Sequence, residues 1–79
     1  MATSEQIKAA RALLRWSQSD LAQASRVPLQ TIKRLETIPG PLAAREGTIE
    51  ALRTALEAAG VEFTDGARPG VNLGKRIEK

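Results

Sequence analysis

Apolar residues recur at helical spacing over most of the chain and switch to strict alternation near its C-terminal end. Ile7, Ala10 and Leu14 stand at i, i+3 and i+7, the stripe of an amphipathic helix. Thr3 or Ser4 supplies its N-cap, and the helix is predicted to end near Leu14. Ser17, with Asp20 three residues on, has the spacing of a capping box with Asp in place of the usual Glu or Gln. It opens a second helix whose Leu21 and Ala24 are expected to point inward. Ser25-Arg26-Val27 makes a turn. Pro28 opens a third helix, where its missing N–H removes no bond. Ile32 and Leu35 of that helix face the core, and Leu29, Gln30, Lys33 and Arg34 face away.

Residues 37–47 read as a loop punctuated by Pro39, Gly40 and Pro41, with Leu42 and Ala43 as anchors in a short helical turn. Thr48 is the expected cap of a fourth helix, whose stripe is Ile49, Leu52, Leu56 and Ala59, with Gly60 suited to the C′ position. The period then becomes two. Val61 and Phe63 flank Glu62, and Val71 and Leu73 flank Asn72, with Asp65-Gly66 and Pro69-Gly70 between them. A strand, a turn and a second strand are predicted. The expected core is Ile7, Leu14, Trp16, Leu21, Val27, Ile32, Leu35, Leu52 and Leu56. Trp16 directly precedes the second helix, where a hydrophobic staple sits. It is read as a core-edge residue rather than one that stacks on a base.

Size and composition narrow the function. With 79 residues the chain is near the lower end of what folds alone, which leaves little room for an enclosed catalytic pocket. It contains neither cysteine nor histidine, so disulfides, thiolate metal sites and the common zinc ligand sets are excluded, and the usual general base is missing. No enzyme, cofactor or metal is expected. No apolar run approaches the roughly 20 residues of a membrane span, and MATSEQIKAARALL lacks the layout of a secretory signal. A cytoplasmic protein is expected. The net charge of +3 points mildly to nucleic acid. Lys8, Arg11 and Arg15 make a basic stripe on the first helix, which a solvated face also explains. The outward face of the third helix is more specific. Gln30 and Thr31 can bond base edges, Lys33 and Arg34 can bond guanine or phosphate, and Leu29 can meet a thymine methyl.

Residues 7–36 resemble the helix-turn-helix of phage-repressor and Cro-like (XRE-like) regulators. The matching residues, in order, are Arg11, Ser17-Gln18, Leu21-Ala22, Val27, Ile32 and Leu35-Glu36. The stretch TIEALRTALEAAGVEF, followed by GVNL, resembles the second half of short bacterial members. The resemblance rests on the ordered set rather than on any one residue. The resemblance implies a mainly α, lambda-repressor-like domain of four to five helices with a short C-terminal β-hairpin or dimerisation strands. It divides the chain into a DNA-binding part, 1–60, and a β segment with a basic tail, 61–79.

The resemblance also implies roles. Leu29, Gln30 and Arg34 fall where the family reads bases, with Thr31 and Lys33 flanking them. Ser17 and Gln18 open the second helix, where backbone amides and the helix dipole help to hold DNA phosphate. Arg45 lies in a loop that often touches the backbone. Arg11 and Glu36 fall where the family pairs its first and third helices, a structural role. Two departures stand out. Arg26 occupies a turn position that is often glycine, so a left-handed conformation there costs on the order of 1 kcal/mol, and its side chain can reach a phosphate. Pro28 replaces a side-chain cap.

Arg53 is expected to pair with Glu50 or Glu57. Lys75, Arg76 and Lys79 belong to a tail that adds non-specific attraction. The expected function is a sequence-specific double-stranded-DNA-binding regulator, most simply a repressor acting as a homodimer. The alternative is an antitoxin or anti-activator that works mainly by binding another protein through VEFTDGARPGVNL. In the dimer reading, Val61, Phe63, Val71 and Leu73 pair with the same segment of a second chain. The competing arrangement folds the hairpin back on its own domain.

Overall fold

The computed structural model describes residues 2–64 and 70–74. Four helices, α1 (Ser4–Leu14), α2 (Gln18–Ser25), α3 (Leu29–Thr37) and α4 (Glu46–Ala58), precede two strands, β1 (Val61–Thr64) and β2 (Gly70–Leu73). The first two helices start as their caps dictate. Thr3 and Gln6 form a complete capping box for α1, and Ser17 and Asp20 form one for α2.

Both helices end on a left-handed arginine. At the end of α1, Arg15 N–H donates to Ala12 and Trp16 N–H donates to Arg11, the paired bonds of a Schellman motif. At the end of α2, Arg26 N–H donates to Ala22, the single bond of the simpler αL motif. Gly60, at φ 107, ends α4 in the same left-handed region.

The core is a single cluster of Ile7, Ala10, Leu21, Val27, Ile32, Leu35, Leu42, Leu52, Leu56 and Val61, together with Ala2. Leu14 and Trp16 are half-buried against it. Ala24, expected inward, is exposed. The buried stripe of α2 runs through Leu21 and Ser25 instead. A serine is tolerated there because its hydroxyl donates to the Leu21 carbonyl at 2.7 Å and accepts from Val27 N–H at 3.2 Å, so no polar atom is orphaned.

The fourth helix begins at Glu46, two residues before the expected cap at Thr48, with Arg45 at the N-cap position. The acidic Glu46 in the first turn complements the helix dipole, which favours the earlier start. The loop before α4 contains no helical turn. Its Leu42 is buried, Ala43 is exposed, and Pro41 forms an isolated bridge with Thr3. Ser4 N–H donates to the Gly40 carbonyl at 2.8 Å, and Leu42 N–H donates to the Ala2 carbonyl at 3.3 Å. The exposed Glu5 carboxylate accepts from Gly40 N–H. Its own backbone amide and that of Gly40 hold it below the usual glutamate range.

The strands pair antiparallel, with Val61 opposite Leu73 and Phe63 opposite Val71. The hairpin packs on α1, and β1 also packs on α4. Within this chain the four residues proposed for the dimer are not equally exposed. Val61 is only 2% exposed within its own chain. Phe63 and Val71 are half-buried, with the Arg53 guanidinium 5.3 Å from the Phe63 ring centroid. Leu73, at 45% exposed, is the one of the four that is open. Residues 61–64 and 70–73 are thus integrated with the helices through the same core. Asp65-Gly66, Pro69 and the basic tail lie outside the described residues.

Candidate nucleic-acid interface

Glu36 is a buried carboxylate, its side chain 5% exposed, on the last turn of α3. Isolated, such a charge would be strongly unfavourable. Arg11 of α1 answers it with two parallel bonds, Nε to Oε2 at 2.8 Å and Nη2 to Oε1 at 2.6 Å, the fork geometry that suits guanidinium to carboxylate. The remaining arm of Arg11, Nη1, donates to the Trp16 carbonyl at 3.0 Å, just ahead of the α2 cap. Gln18, the first residue of α2, donates from Nε2 to Glu36 Oε1 at 3.0 Å. The pair therefore joins α1 to α3 and fixes the start of α2 against the end of α3. An amide nitrogen carries two hydrogens, so Gln18 keeps one donor beyond this bond.

Ser17 accepts from Asp20 N–H at 3.0 Å, and its own N–H donates to the Asp20 carboxylate at 2.9 Å. Its hydroxyl proton stays available, but with the Asp20 charge beside it an anion at this helix end needs a cation close by.

The outer face of α3 presents Gln30, Lys33 and Arg34, at i, i+3 and i+4, all exposed. None of these side chains bonds another residue among those described. Leu29 and Thr31, expected on the same outward face, are half-buried. Thr31 lines a groove at the N-terminal end of α3, together with Arg26, Pro28, Arg45, Gly47 and Thr48.

That groove brings together two cations that lie far apart in sequence, Arg26 from the α2–α3 turn and Arg45 from the start of α4. It also receives the N-termini of α3 and α4, neither of which has a side-chain cap. Pro28 offers only its carbonyl, to Thr31 N–H at 3.0 Å and Ile32 N–H at 3.2 Å. The N-terminal ends of both helices thus lie at the groove beside two guanidinium groups; the α3 end, which has no acidic residue in its first turn, favours an anion, while Glu46 offsets the dipole at the α4 end.

Of the residues singled out from sequence, Gln30, Lys33 and Arg34 share one face, and Arg26, Thr31 and Arg45 share the groove. Ser17 and Gln18 sit at the other end of α2. The position of the α4 start was missed, and with it the second uncapped helix end. The only signal for it was the acidic Glu46. Arg53 pairs with Glu57 at 2.9 Å. Among the described residues there is no group of three or more metal-ligating side chains, and no helix long and apolar enough to cross a membrane.

At this level the molecule is a small, mainly helical domain with a two-stranded antiparallel sheet. No family model matches the chain, and neither a curated protein nor a solved structure does.

Proposed function

We propose that the chain is a sequence-specific double-stranded-DNA-binding regulator of the phage-repressor, Cro-like class, with α2 and α3 as the two motif helices and α3 entering the major groove. The observation that carries this is the exposed Gln30–Lys33–Arg34 face of α3, set beside a groove where Arg26, Arg45 and two uncapped helix ends converge. The face offers donors for base edges, and the groove offers charge for the phosphates beside them. Gln18, oriented by Glu36, adds a donor at the opposite end of α2.

One such domain makes few base contacts. Two copies on a two-fold axis would read half-sites about 34–36 Å apart, and binding across a promoter would repress it by occlusion. Leu73 and the edges of the hairpin, rather than its packed face, are where a second copy would add. The test is selection of bound duplexes from a random pool, followed by titration of Arg34→Ala. This variant should lose roughly 1–3 kcal/mol on the selected duplex and relax the preference at one base-pair position.

A further inference from the structure

Four described residues have positive φ: Arg15, Arg26, Gly40 and Gly60. Two are glycine, the residue that enters this region without steric penalty. The other two are arginines, which do pay that penalty, and they bracket α2. Arg15, at φ 59 and ψ 39, closes α1 in a Schellman motif whose left-handed position glycine usually fills. Arg26, at φ 63 and ψ 23, takes the corresponding left-handed position of the simpler αL motif after α2. The bonds that define these turns are made by backbone atoms, so the turns themselves need neither guanidinium. Arg15 is exposed, and its side chain bonds no other residue among those described.

Resting on the DNA-binding reading above, we propose that Arg15 is a further contact to the phosphodiester backbone of duplex DNA, at the N-terminal end of α2. Arg26 lies at the far end of the same helix, in the basic groove. Eight residues of α-helix span about 12 Å, comparable to the width of the major groove. A helix that crosses the backbone in this class would thereby carry a cation at each end, with Gln18 beside the first. A strained arginine where glycine would be easier is the expected trace of a charge held for binding rather than for folding.

The full chain is titrated against a labelled random-sequence DNA duplex over a range of salt concentrations, as wild type, Arg15→Gly and Arg15→Lys, with melting curves for each. Arg15→Gly should melt at least as high as the wild type. It should bind more weakly, with a slope of log affinity against log salt shallower by about one, and Arg15→Lys should bind close to the wild type. Wild-type affinity and slope in Arg15→Gly would overturn this assignment alone. A wild type without salt-sensitive binding would remove the DNA reading, and this contact with it.

Discussion

Glu36 sits where three helices meet, and its neighbours explain why a carboxylate is tolerated there. Arg11 neutralises it, Gln18 takes part of its remaining hydrogen-bonding capacity, and Ser4 Oγ donates to its backbone carbonyl at 3.3 Å. Removing one partner of a buried pair is far worse than replacing both, because the other charge is left without compensation. With Arg11 19% exposed and Glu36 5% exposed, Glu36→Ala should destabilise the fold by about 3–5 kcal/mol. That is a large share of the stability of a chain this short. Thermal or urea unfolding decides it: a variant that unfolds with the wild type refutes the pair as a structural element.

At the scale of elements, α1, α2 and α3 were legible because their signals are local. A cap before α1, a cap with a box partner three residues on before α2, a proline at the start of α3 and an apolar stripe in each all lie within one or two turns of each other. The start of α4 was harder, since Thr48 before an apolar run is a sound cap signal that Glu46 and the packed structure override. Long-range features had no local trace. Nothing near Thr3 announces its bridge to Pro41.

Gln6 was likewise invisible as more than a helix residue. Its Oε1 accepts from Thr3 N–H, while Nε2 donates to the Thr64 carbonyl at 3.0 Å and the Gly70 carbonyl at 2.9 Å, clasping the last paired residues of the hairpin from α1. A two-stranded hairpin alone is marginal in water, so this clasp and the burial of Val61 keep β1 and β2 in place. Gln6→Ala should cost about 1–3 kcal/mol by leaving two carbonyls without a partner. Amide exchange in 61–64 and 70–73 should accelerate more than in α2 and α3, and equal acceleration everywhere would contradict the clasp.

For the whole molecule, the apolar alternation of the strands was legible but its destination was not. Period two says that Val61, Phe63, Val71 and Leu73 share a face; it does not say whether that face meets its own helices or another chain. In the structure Val61, Phe63 and Val71 pack on the core while Leu73 stays exposed, because a domain this small needs the hairpin to complete its core. The homodimer proposed above would then form through the exposed Leu73 and the strand edges. Sedimentation of Leu73→Glu beside the wild type tests this: the wild type should be dimeric and the variant shifted toward monomer, whereas a monomeric wild type would refute the dimer and leave the DNA reading standing.

The DNA reading itself meets its most direct test in one comparison, the affinity of the wild type, Arg34→Ala and Gln18→Ala for a selected duplex and for random DNA. The wild type should prefer the selected duplex and bind both less tightly as salt rises. Arg34→Ala should lose about 1–3 kcal/mol on the selected duplex and far less on random DNA, while Gln18→Ala should weaken both alike, since phosphate contacts carry no sequence information. Equal losses by both variants on both duplexes would show that α3 is not the reading face, and a wild type that binds neither duplex would contradict the DNA-binding function outright.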